Sequence, residues 1–194
     1  AWGDFGTGLS ALGVALPRFP VWVDVWPVGG GELSSLEELP AWKQGIISKN
    51  RQFFADNEEF LRWWLSSSGV EGFPASRRKF EWQAQDAEGL HECTVQLRPS
   101  GLRVKKATHV GALVAIDQRP IVVSRMRRLG VRECARLQGF PDGFDFASVP
   151  YRAAYKQTGN AVHVGSARFA LTEHLNDPRT AALLGPKHRL YTAR

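Results

Sequence analysis

The sequence predicts a mixed α/β chain, and three observations carry that expectation. An apolar stripe at helical spacing runs through residues 42–69, short apolar runs at strand spacing fill 93–123, and two more helical patterns flank a Pro-Asp-Gly turn. With 194 residues, 43% of them hydrophobic and 23% charged, the apolar material suffices for one ordinary domain or two small ones.

Residues 1–41 are rich in Gly, Pro and Trp. In ALPRFPVWVDVWPVGGG short apolar pieces are cut by proline, which predicts an extended arm and no core element. Pro40, preceded by Glu37 and Glu38, then opens one long amphipathic helix over 42–69. Its stripe holds Trp42, Ile46, Phe53, Phe60 and Trp64, with Ile47, Phe54, Leu61 and Leu65 beside it, and Ser66-Ser67-Ser68-Gly69 ends it. Trp63 and Trp64 fall on this broad stripe and read as packing material rather than a base-stacking platform.

Residues 70–128 read as strands and loops. The stretch 93–97 alternates, Pro99-Ser100-Gly101 turns, 102–104 resumes, 111–116 has the composition of a buried strand, and 121–123 of another. From 129 to 175 helical spacing returns. Gly130 takes the N-cap position, Leu129 and Cys134 stand where a hydrophobic staple closes a helix start, and Glu133 can reach back to the Gly130 N–H. Glycine offers no side-chain oxygen, so only half of a capping box is available. Val131, Cys134, Ala135 and Leu137 form the apolar face, which leaves Arg132, Glu133, Arg136 and Gln138 for polar contacts before Gly139 ends the helix. Residues 176–194 read as a tail.

Charge is unevenly placed. Residues 1–75 hold five basic and nine acidic side chains, whereas 76–136 hold thirteen and six, and the whole chain carries +6. A basic block of this kind is either a surface for a polyanion, where each Lys or Arg near a phosphate releases counterions, or a hydrated basic rim of a sheet. Arg77, Arg78, Lys79, Arg98, Arg103, Lys105 and Lys106 are its phosphate-holding candidates, and Gln83 and Thr108 lie among them. Gln and Arg can each make two hydrogen bonds to a purine edge. The two cysteines, Cys93 and Cys134, lack the paired spacing of a zinc site, and no metal is expected. No apolar run approaches a membrane span, and no leader pattern opens the sequence, so a cytoplasmic, nucleoid-associated protein is expected. The first residue is Ala rather than Met, which points to a processed or truncated piece.

Arg132-Glu133-Cys134-Ala135-Arg136-Leu137-Gln138-Gly139-Phe140-Pro141 resembles the ninth motif of DNA cytosine-5 methyltransferases. Tyr155-Lys156-Gln157-Thr158-Gly159-Asn160-Ala161-Val162, followed by the seam Val164, Ala167, Leu171 and Leu175, resembles that family's tenth and last motif. The resemblance implies the C-terminal portion of an S-adenosylmethionine-dependent methyltransferase fold, an incomplete Rossmann-like domain, with residues 70–128 as a small target recognition domain for double-stranded DNA. It implies that Arg132, Glu133, Arg136 and Gln138 hold that domain to its base. It also implies that Gly159, Asn160, Ala161 and Val162 close one side of the S-adenosylmethionine pocket. A Gly-Asn pair read as a helix start fits this, because free N–H groups gather at such an end.

The family attacks cytosine C6 with a Cys in a Pro-Cys loop, and a Glu in a Glu-Asn-Val motif steadies the flipped base. Neither motif occurs in the sequence, and no residue here is a catalytic candidate. DFGTGLS, Asp4 to Ser10, looks like a Gly-rich first motif, yet no strand precedes it to present such a loop. The expected partner is therefore a catalytic half or subunit carrying the first eight motifs, with a stand-alone DNA-binding module or an inactive remnant as alternatives.

Overall fold

The computed structural model describes residues 1–28, 36–116 and 118–184. The described residues fall into two compact units, one built from 1–111 with 118–128, the other from 112–116 with 129–184.

The first unit packs three helices on a six-stranded sheet. Its strands are β1 (Val21–Trp22), β2 (Lys79–Gln83), β3 (Cys93–Arg98), β4 (Gly101–Lys106), β5 (Ile121–Val122) and β6 (Arg127–Arg128), in the order β1-β2-β4-β3-β5-β6. Only β2 and β4 run parallel; the other pairs are antiparallel. Alternation along β2 turns Phe80 and Trp82 inward, and Val95 on β3 and Val104 on β4 join them in the core. Between β3 and β4, Gly101 holds φ +139 with its Cα so close to Lys79 that a Cβ would meet the Lys79 backbone oxygen at 3.0 Å.

Residues 1–28 are not the extended arm that their composition predicts. Trp2–Ala11 forms helix α1, and Trp2, Phe5 and Leu9 from one of its faces are buried. Trp2 stacks on Phe80 at 4.5 Å between ring centroids and donates its indole N–H to the Arg77 carbonyl at 2.9 Å. Gly8 explains why a glycine-rich stretch is helical here, because any Cβ at that position would collide with the Phe60 ring. The proline-cut piece that follows supplies β1, pinned by Asn50. Its wholly buried carboxamide accepts from the Trp22 N–H at 2.7 Å and donates to the carbonyls of Pro20 and Ile46 at 2.8 and 2.9 Å. Residues 29–35, at the end of the predicted arm, lie outside the described residues.

The single helix expected over 42–69 is two, α2 (Ala41–Asp56) and α3 (Glu58–Ser68). Asn57 breaks it: its side-chain amide returns to the Phe53 carbonyl at 2.9 Å, and its φ of −132° leaves the helical range. Glu58 and Glu59 then occupy the first turn of α3, where the helix dipole favours carboxylates. The Trp63-Trp64 pair divides at this packing. Trp64 is fully buried against Trp2 and Phe5, whereas Trp63 and Trp42 are exposed.

The second unit is helical among its described residues: α4 (Val131–Leu137), α5 (Tyr151–Asn160), α6 (Val164–Asn176) and α7 (Pro178–Leu184). The apolar run 111–116 is irregular, not the buried strand predicted, and Val114 and Ile116 are exposed. Part of the predicted tail is helix α7, and residues 185–194 lie outside the described residues. No helix among the described residues is long and apolar enough to cross a membrane, and they hold no cluster of metal-ligating side chains.

Candidate functional site

Strand register gathers part of the basic block. Glu81, Arg103 and Gln96 stand in one cross-strand row and Gln83, Lys105 and Thr94 in the next. The two-residue period of a strand adds Lys79 and Arg98 to the same face. Five predicted DNA contacts, Lys79, Gln83, Arg98, Arg103 and Lys105, therefore share one side of the sheet. Gly111 approaches this face so closely at Gln96 that a Cβ there would collide with the Gln96 side chain. The β3 side is thereby covered, and the half nearer β2 is the more open one.

Most of these cations are already engaged. Arg103 pairs with Glu81 at 2.7 Å, Lys79 places its ammonium 5.3 Å from the Trp22 ring centroid, and Gln83 approaches Glu81 at 3.5 Å. Arg77 and Arg78 lie off the face, in the turn before β2. Arg77 donates to the Arg98 carbonyl at 3.2 Å, and Arg78 pairs with Asp24 at 2.8 Å. Lys106 alternates to the other side and meets Asp86 at 3.1 Å and Glu92 at 3.9 Å. Its hydrogen bond to Asp86 raises the ammonium's pKa and lowers that of the carboxyl. Thr108 sits in the turn after β4, 3.3 Å from His109 Nδ1. Lys105 has no acidic partner among the described residues, and neither has Arg98, whose Nη1 is buried without a hydrogen-bond partner among them.

Both thiols lie inside the protein. Cys93 is buried and donates to the Gly89 carbonyl, and burial pushes its pKa up to about 11. Cys134 is buried in α4.

In the second unit, α4 starts as its sequence predicts: Glu133 accepts from the Gly130 N–H at 2.8 Å. It ends in a Schellman turn, with Gly139 at φ +75, its N–H on the Arg136 carbonyl and the Phe140 N–H on the Ala135 carbonyl. Val131, Cys134 and Ala135 are buried, but Leu137, expected on the same face, is exposed. The four polar side chains of this helix have separate partners. Arg136 is exposed and grips Asp142 through two nitrogens, at 2.6 and 3.2 Å, which fixes the turn after its own helix. That hydrogen bond holds the Asp142 carboxyl below its usual range. Arg132 lies 5.4 Å from the Phe146 ring centroid, within the Phe140, Phe144 and Phe146 group. Gln138 donates to the carbonyls of Thr158 at 2.8 Å and Ala161 at 3.2 Å, joining the two matched motifs.

The turn after α5 differs from the expected geometry. Gly159 and Asn160 close a helix rather than open one; the next helix begins at Val164, capped by His163 Nδ1, which accepts from the Ser166 N–H at 3.1 Å. Gly159 is needed for another reason, since a Cβ would strike the Val114 backbone. Free helical N–H groups therefore do not supply a binding site at Gly159-Asn160. What the turn presents is the exposed Asn160 carboxamide, which has no partner among the described residues, next to exposed Val162 and half-buried Ala161. This pairing of an amide with an apolar surface fits one wall of a site for a ligand with polar and apolar parts, the character of the cofactor that the resemblance implies. No residue type in the sequence marks the Gln138 bridge, because its partners are backbone carbonyls.

The C-5 cytosine-specific DNA methylase family matches residues 38–176. The Type II methyltransferase M.AluI of Cellulosimicrobium cellulans is 48% identical over 152 residues, 77% of this chain and 29% of the relative. M.HgiCI of Herpetosiphon aurantiacus is 51% identical over 55 residues, 27% of this chain and 13% of its own, and M.FnuDI of Fusobacterium nucleatum 58% over 38, 20% and 11%. The chain thus spans less than a third of the length of these relatives. No solved structure matches it.

Proposed function

Because the chain belongs to the C-5 cytosine-specific DNA methylase family, we propose that it is the DNA-recognition and cofactor-closing portion of a DNA (cytosine-5-)-methyltransferase of the restriction-modification type. The observation that carries this reading is chemical. The sequence holds both C-terminal motifs, yet it lacks the Pro-Cys and Glu-Asn-Val motifs, and its two thiols are buried. Methyl transfer to cytosine in duplex DNA then needs a catalytic half or subunit that brings the nucleophile.

Each unit has its own task in this reading. On the sheet, Lys105 holds a phosphate and Lys79 and Arg98 add positive potential, while Gln83 and Arg103 reach toward base edges once Arg103 exchanges Glu81 for DNA. In the helical unit, Asn160 offers its amide and Val162 its side chain as one wall for S-adenosylmethionine, which supplies the methyl group when bound. The exposed face of α6, with Val164, Ala167 and Leu171, is the surface where the catalytic half docks. The test supplies the missing half and measures methyl transfer to cytosine. The proposal expects activity only with both parts present, and silence across several duplex sequences overturns it.

The shared sheet face of Lys79, Gln83, Arg98, Arg103 and Lys105 also favours a second reading, a stand-alone DNA-binding module. That reading expects tight, salt-dependent duplex binding by this chain alone and no gain from the added half.

A further inference from the structure

We propose that Gln138 is a positioning residue for the cofactor turn, one side chain on α4 that sets the conformation of residues 159–162. This rests on the reading of that turn as a cofactor wall. Three bonds to one residue bracket the turn: Nε2 donates to the Thr158 carbonyl at 2.8 Å, just before it, and to the Ala161 carbonyl at 3.2 Å, within it. The Gln138 carbonyl accepts from the Val164 N–H at 2.8 Å, just after it.

The carbonyls are those that a helix end leaves without intrahelical partners, and α5 ends at Asn160. A glutamine has two amide N–H groups and both are used, so a residue with one donor or none leaves a carbonyl unmet. Gly139, at φ +75, gives the chain just after Gln138 a left-handed turn that favours glycine, and it lies in contact with the His163 ring and Val164. Gln138 therefore acts on the turn that carries Asn160 and Val162, rather than serving only to hold the DNA-reading sheet.

The experiment uses the assembled enzyme, this chain with its catalytic half, and three readouts: S-adenosylmethionine affinity by equilibrium dialysis, duplex DNA affinity, and amide hydrogen exchange across 158–164. Gln138→Met keeps the length and removes both donors. We expect cofactor affinity to fall about tenfold, for two net hydrogen bonds, with faster exchange in the turn and DNA affinity within about twofold of the parent. Gln138→Glu turns a carboxylate toward two carbonyls, so it binds cofactor more weakly than the Met variant at neutral pH. Relative to the parent at each pH, it recovers toward about pH 5, as the protonated carboxyl regains one donor. A role in packing alone gives no such recovery. Unchanged cofactor affinity in Gln138→Met, a loss of DNA affinity in place of cofactor affinity, or a flat pH response of Gln138→Glu each overturns the proposal. Asn160→Ala, measured alongside, separates this from its premise. If Asn160→Ala binds cofactor normally, the reading of the turn fails; if it binds weakly while Gln138→Met binds normally, only the positioning role fails.

Discussion

Lys105 and Arg78 carry the same charge in different situations. Lys105 stands on the polar face of the sheet without an acidic partner among the described residues, whereas Arg78 is held by Asp24 at 2.8 Å. We therefore expect Lys105→Ala to weaken binding to all duplexes alike and to lower the slope of log K against log salt by about one phosphate's worth. Arg78→Ala should leave the slope near that of the parent, and the reverse ranking would place the DNA on the β1 side instead. Asp142 offers a test by pH. The Arg136 hydrogen bond lowers its folded pKa, so its contribution is complete above about pH 4, the unfolded carboxyl's range, and disappears as pH falls through the lower folded value. Denaturation midpoints of the parent and Asp142→Asn should then differ at neutral pH and converge in acid. Midpoints that stay equally far apart at all pH values would show that the ion pair is not the source.

Among the elements, α1 shows why local propensity misled. Gly3, Gly6 and Gly8 weaken a helix in isolation, and tertiary packing overrides that cost because Gly8 lets the Phe60 ring lie against the helix backbone. Gly8→Ala gains helix propensity but forces Phe60 aside, and we expect a net loss of about 1–3 kcal/mol in urea unfolding. A stabilised protein would mean that the ring moves freely. The break between α2 and α3 was equally hidden, since one apolar stripe passes through it and the first helix ends at Asn57, whose side chain returns to the Phe53 carbonyl and whose φ leaves the helical range. By contrast α4 was legible at both ends, because Glu133 and Gly139 act on neighbours within their own turn. β3 and β4 were legible for the same reason, as a tight turn joins them. β2 alternates over Lys79–Gln83, but its neighbours are not adjacent in sequence, so its pairing was not legible.

At the scale of the molecule, the chain buries an aromatic core in its first unit, while Val164, Ala167 and Leu171 of α6 stay exposed. Under the proposed function these residues meet the catalytic half. Leu171→Ser should therefore leave the chain's own thermal midpoint unchanged and weaken assembly with that half about tenfold, as expected for an apolar anchor at an interface. A lowered midpoint with unaltered assembly would assign the face to internal packing. The family itself was legible in two short motifs, since side chains that meet ligands and backbone carry their chemistry with them. Composition likewise determined the excess of positive charge, and the spacing of apolar residues the mixed α/β class. Only the tertiary structure decided that residues 1–28 belong to the core, that Gly159 and Asn160 end a helix, and which cations are already neutralised. The physical reason is range: caps, turns and motifs act over a few residues, whereas burial and ion pairing depend on groups such as Trp2 and Phe80, or Arg78 and Asp24, that only folding brings together.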